Sequence, residues 1–188
     1  MRQRALPVVA AISLMTGCGV GVLGSEDPYA SPDEPDPWSQ VAGTIGEAGE
    51  PDGRSIESGC KQTSGFADGD QERLTYEEIV ELARGAGIGC GYNLVKAVAV
   101  ASAESGRYTH AYLRNKSCSL DRGIWQINSY WWGDYSTYDT DENAAGMYII
   151  SKKGTTWTPW ATYNSGKWKS YRTSACAVVK AICGKSYC

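Results

Sequence analysis

The chain has 188 residues, one histidine, seven cysteines and a formal net charge of −3, enough for one compact domain plus an appendage. The charge is uneven: residues 19–59 hold nine acidic residues against Arg54 alone, whereas residues 60–188 hold fifteen basic and twelve acidic ones. The mildly basic part suits an anionic polymer but lacks the dense basic stripe of a nucleic-acid partner. With one histidine and no Cys-x-x-Cys, no metal and no cofactor is expected.

Residues 1–18 read as a bacterial export signal. Arg2 and Arg4 give a positive start, Ala5 to Met15 form an apolar run too short to span a membrane as a helix, and Leu14-Met15-Thr16-Gly17-Cys18 follows. That last stretch resembles a lipobox, which implies lipidation of Cys18 and anchoring to the bacterial membrane. Gly19 after the cysteine points, by the rule of that family, to the outer membrane. Residues 19–59 form an acidic linker with five of the seven prolines and too few apolar residues to fold. A flexible chain of that length spans roughly 35 Å, so it reads as a tether.

The domain is expected over residues 60–188. Its six cysteines, Cys60, Cys90, Cys118, Cys176, Cys183 and Cys188, read as three disulfides, with fifteen connectivities left open. Cys176 and Cys183 lie too far apart along a helix to bond each other. Thr75-x-x-Glu78 is a capping box ahead of Tyr76, Ile79, Val80 and Ala83 at helical spacing, and Gly85 and Gly87 end that helix. Asn93 is the expected cap of a second helix, whose run from Leu94 to Ala103 is apolar apart from Lys96 and Ser102, so it should be buried nearly all round. Residues 105–128 read as loops with short strands. Further helices are expected over Glu142–Lys152, ended by Gly154, and near Ser174–Cys183. The fold class is α+β, mostly α: helices around a core with a small strand-and-loop lobe flanking a cleft.

One carboxylate, Glu104, closes the apolar helix, and a second, Asp121, opens a segment rich in Trp, Gln and Asn. Burial and the negative helix end both push a carboxyl's pKa up, which suits Glu104 to donate a proton near neutral pH. Asp121, in a polar segment, is expected to stay ionised as nucleophile or electrostatic partner. Glycoside cleavage needs such a donor and such an anion. Gln126 and Asn128 alternate along a short extended run, so both should face one side and bond sugar hydroxyl and acetamido groups, with Ile127 inward. Six tryptophans crowd into residues 125–168. Trp131 and Trp132 are expected to face the ligand, Trp157 to form wall or core near Glu104, and Trp125, Trp160 and Trp168 to fill the core.

At these residues the chain resembles the lysozyme-like superfamily. Glu104-Ser105 followed by Ser119-x-Asp121-x-Gly123-Ile124-x-Gln126-Ile127-Asn128-Ser129-x-Trp131-Trp132 is similar to animal-type lysozymes, as are Glu81-Leu82-Ala83 and Trp157-x-x-Trp160. The resemblance implies cleavage of the β-1,4 bond between N-acetylmuramic acid and N-acetylglucosamine in peptidoglycan. Glu104 would be the general acid and Asp121 the second carboxylate, with Gln126, Asn128, Trp131 and Trp132 in the glycan cleft. Glu104-Ser105, Gly123 to Gln126, Asn143 and Tyr163-Asn164-Ser165-Gly166 also resemble the soluble lytic transglycosylases, with Thr162 where that family has Ala. This second resemblance adds Ser105, Tyr163 and Asn164 to the candidate substrate-binding residues. Such enzymes use the substrate acetamide instead of a second carboxylate and yield anhydro sugars. The cysteines do not follow the animal lysozyme pattern, so no pairing carries over. Asp121 tips the reading to hydrolysis by a monomeric, tethered wall enzyme. A non-catalytic peptidoglycan-binding lipoprotein is the alternative from another class.

Overall fold

The computed structural model describes residues 59–188. The expected export signal, with Cys18, and all but the last residue of the expected linker lie outside the described residues. Six helices and four strands follow: β1 Thr63–Phe66, α1 Tyr76–Gly85, α2 Tyr92–Ser105, β2 Ala111–Arg114, β3 Leu120–Arg122, β4 Ile127–Asn128, α3 Ser129–Trp132, α4 Thr140–Ile150, α5 Ala161–Asn164 and α6 Arg172–Cys183. The strands form one antiparallel sheet in sequence order. This is the mostly helical α+β architecture that the sequence predicts.

α2 is the axis of the helical lobe. Every residue from Leu94 to Ala103 except Lys96 is buried, with α1, α6 and a 3-10 turn over Lys167–Tyr171 packed around it. The buried Ser102 hydroxyl donates to the Val98 carbonyl one turn back, so no polar group is left unpaired in that wall. The helix starts earlier than expected. Gly91, not Asn93, is its N-cap, and the Gly91 carbonyl accepts from Leu94 N and Val95 N. Asn93 therefore lies inside the first turn. Gly106, at φ 64, ends the helix through an N–H donated to the Ser102 carbonyl, the left-handed cap that glycine adopts without strain.

α1 carries the expected capping box: the Thr75 hydroxyl accepts from Glu78 N, and the Glu78 carboxylate accepts from Thr75 N at 2.8 Å. α4 begins at Thr140, two residues ahead of its expected start, because the Asp139 carboxylate caps it by accepting from Glu142 N. It ends at Ile150, two residues short of the expected end. α6 likewise starts two residues early, at Arg172.

The tryptophans left to the core are there. Trp125, Trp160 and Trp168 are buried, and two indoles are satisfied within the core, Trp125 Nε1 donating to the Ala97 carbonyl and Trp160 Nε1 to the Trp125 carbonyl. Three disulfides join Cys60 to Cys118, Cys90 to Cys183 and Cys176 to Cys188. Cys176 and Cys183 each reach away from α6, as their spacing requires.

The Cys90–Cys183 bridge ties the start of α2 to the end of α6 across a separation of 93 residues, against 12 for Cys176–Cys188. Chain-entropy arguments assign such closures about 4–5 and about 3 kcal/mol respectively. Thermal unfolding should therefore show a larger loss of Tm for Cys90→Ser with Cys183→Ser than for Cys176→Ser with Cys188→Ser. The reverse order would contradict this reading.

Candidate active site

Glu104 is the penultimate residue of α2, so the buried helix delivers its carboxyl to the junction with α5. There Thr162 meets it twice: the hydroxyl donates to Glu104 Oε1 at 2.5 Å and the backbone amide approaches the same oxygen at 3.4 Å. Burial pushes the Glu104 pKa up from 4.5 to about 6. The Thr162 hydrogen bonds oppose that rise, the Asp121 charge adds to it, and the Lys167 charge works against it.

Asp121 is on β3, paired across the ladder with Asn128 of β4. Two amides clamp it: Asn128 Nδ2 donates to Oδ1 at 2.6 Å, and Asn115 Nδ2 donates to Oδ2 at 3.1 Å. Both amides also donate to Ser119 Oγ. Burial raises the Asp121 pKa above its ordinary value, with the amide hydrogen bonds lowering it in part. Asp121 has the polar neighbours that the sequence predicts, but it is also partly buried, so burial disfavours its ionised form while the donated amide hydrogen bonds favour it.

The two carboxyls line one open cleft of about 930 Å³, together with Gln126, Asn128, Trp131 and Trp132. Trp131, 72% exposed, and Trp132, 40% exposed, stand on α3 beside Tyr130, 55% exposed. Three large exposed aromatics on one short helix suit the apolar faces of sugar rings. Trp160 forms part of the same cleft wall.

Two expectations about polar groups change. Gln126 sits in a turn at φ 47 rather than in an extended run. Its Nε2 donates to the Ala111 and Gly123 carbonyls, leaving Oε1 as the group available to a ligand. Asn128 caps α3, its Oδ1 accepting from Tyr130 N, while its Nδ2 holds Asp121 and Ser119. Asn128 therefore acts on Asp121 and spends its own amide doing so.

Four other candidates lie off the cleft lining. Ser105 is buried, donating to the Ala101 carbonyl and accepting from Arg107 N. Trp157 is buried in the core, its Nε1 donating to the Gly154 carbonyl. Tyr163 stacks on Trp168, and Asn164 Nδ2 donates to the Thr158 carbonyl.

Sequence reasoning missed Thr162, Asn115 and Tyr130 as site residues. Asn115 had a faint signal, six residues before Asp121 in a polar hairpin. Asn143, noted only within a motif, is a buried hub. Its Nδ2 donates to the Arg122, Tyr135 and Thr137 carbonyls and its Oδ1 accepts from Trp125 N. Gly123, at φ 72, is required beside it: a Cβ would come within 2.5 Å of the Thr137 carbonyl.

Comparison with known proteins agrees with this geometry. Residues 80–162 match the family model described as a lysozyme-like domain, so the chain carries a lysozyme-like domain. Lysozyme C-1 of Anas platyrhynchos is 46% identical over 57 residues, covering 30% of this chain and 39% of that relative. The matched stretch thus spans well under half of that relative's length.

The Thr162 hydroxyl stabilises the ionised form of Glu104, so removing it should raise the pKa. Carboxyl NMR titration of Thr162→Val should put Glu104 above its wild-type value, whereas Thr162→Ser should leave it close to wild type. An unchanged titration in the valine variant would remove Thr162 from the site.

Proposed function

We propose that this domain hydrolyses the β-1,4 glycosidic bond between N-acetylmuramic acid and N-acetylglucosamine in peptidoglycan. The observation that carries the reading is the pairing of a buried carboxyl raised to about 6 with a second carboxyl lining the same cleft. Below that pKa Glu104 holds its proton and can donate it to the glycosidic oxygen as the bond to the anomeric carbon breaks. Asp121, in its ionised form, meets the positive charge that develops on the sugar, by electrostatic contact or by bonding to the anomeric carbon. Water then adds at that carbon and returns a proton to Glu104, which balances the hydrolysis. Trp131, Trp132 and Tyr130 supply the platform for the glycan, and Gln126 Oε1 an acceptor for its hydroxyl or amide donors.

A specific observation favours a second reading, the lytic transglycosylase. Burial raises the Asp121 pKa by more than its two amide hydrogen bonds lower it, so its ionised form is less readily available than in open solvent. In that reading the substrate acetamide takes over its role and the product carries an anhydro sugar. We also propose that the domain works as a monomer, tethered through residues 19–59 to a lipid on Cys18 at the bacterial membrane, most readily the outer membrane.

A turbidity assay on cell walls tests the roles of the carboxyls. Glu104→Gln should lose about 10²–10⁴-fold in lysis while still sedimenting with peptidoglycan. Undiminished lysis would sink the assignment. Asp121→Asn should be severely impaired under the hydrolytic reading and close to wild type under the transglycosylase one.

A further inference from the structure

Residues 60–74 precede the matched family segment, yet they help build one end of the cleft. The Cys60–Cys118 disulfide fastens them to the turn between β2 and β3, and Cys60 N donates to the Lys116 carbonyl at 3.2 Å. Within the turn, Asn115 N donates to the Ser119 carbonyl at 2.8 Å and Cys118 N to the Asn115 carbonyl at 2.9 Å. The backbone around Lys116 is thus fixed from two sides, while its side chain is exposed and lines the cleft beside Gln62 and Ser117. Lys116 is the single cation among the residues lining the cleft, and among the described residues its ammonium makes no ion pair. The two acidic groups of the lining are Glu104 and Asp121. Asp121 is already held by Asn115, the neighbour of Lys116 in sequence.

A neutral sugar chain gives a cation nothing to pair with. Peptidoglycan differs from other β-1,4-linked glycans in bearing short peptides on its muramic acid residues, and those peptides end in carboxylates. We propose that Lys116, carried on the stapled turn with the amide of Gln62 alongside, is a specificity residue that engages a carboxylate of the peptide stem, so that the domain prefers peptide-substituted glycan to bare glycan. This rests on the glycan-cleaving reading above and extends it to the substrate's side chains. The staple matters because an exposed lysine on a loose turn loses most of its ion-pair energy to ordering.

The test compares two soluble glycan fragments of equal length, one with its peptides and one stripped by an amidase and then capped as amides at the lactyl carboxylates so exposed, using the full-length chain. Equilibrium binding and initial cleavage rates are both measured. Wild type should prefer the peptide-bearing fragment about two- to five-fold, the range of an exposed ion pair, with the preference shrinking at high salt. Lys116→Gln should lose that preference and leave the bare fragment unaffected, and Lys116→Arg should retain it. Cys60→Ser with Cys118→Ser should weaken the preference more than it weakens binding of the bare fragment. A wild type without preference, or a Lys116→Gln variant that keeps it or weakens both fragments equally, would overturn the inference while leaving the catalytic reading intact. A wild type that neither binds nor cleaves either fragment would overturn the catalytic reading itself.

Discussion

The site depends on a carboxyl carried to the end of a helix that has almost no contact with water. α2 is buried from Leu94 to Ala103 apart from Lys96, and that apolar surround raises the Glu104 pKa to about 6. The same shift acts on stability. The folded pKa lies above the unfolded one, so the folded state binds the proton more tightly, and stability falls as pH rises from about 4.5 to 6. With the proton held up to about 6 instead of 4.5, that loss is about 2 kcal/mol once the carboxyl is ionised. Thr162 limits that loss by donating to the ionised form. Burial by α2 and donation by Thr162 thus pull in opposite directions, and desolvation wins because a single hydroxyl and a long amide contact cannot replace full hydration.

The second carboxyl is positioned by a different device. Asp121 is on a three-residue strand whose partners supply the amides of Asn128 and Asn115. The strands are short, so side chains and not the ladder alone fix the geometry. Asn143 ties the turn after β3 to α4, and Gly123 allows the backbones to approach closely enough for it. Gly146 on α4 has a matching role, since a Cβ there would meet Tyr135 at 2.4 Å and Ile127 at 2.7 Å. The sheet lobe is therefore docked on the helical lobe by a buried amide and two close backbone approaches, which hold the cleft walls at a set distance.

Much of this was legible from local pattern. The Thr75–Glu78 box needs residues three apart, and α2 announces itself by an unbroken apolar run ending in Glu104. The core tryptophans followed from burial preference. What was hidden depends on pairing between distant residues or on turn geometry. β1, reading Thr-Ser-Gly-Phe, has no alternation to betray it, and it is a strand only because β2 lies beside it 45 or more residues later. Thr162 is 58 residues from Glu104, so no local spacing signals their contact. Gln126 fits an alternating pattern on paper, but the left-handed turn at φ 47 takes it out of the strand. Asn128 lines the cleft as the sequence predicts, but its hold on Asp121 was hidden, because sequence cannot tell an amide that binds ligand from one that also clamps a neighbour.

The measurement that bears most directly on the account is mass spectrometry of the muropeptides released when the full-length chain digests purified peptidoglycan. Hydrolysis directed by Glu104 and Asp121 predicts fragments with reducing N-acetylmuramic acid ends, formed in amounts that fall as pH rises past about 6. Fragments ending in anhydro sugars would contradict the role given to Asp121. An absence of fragments from wall material that the protein still binds would contradict catalysis altogether.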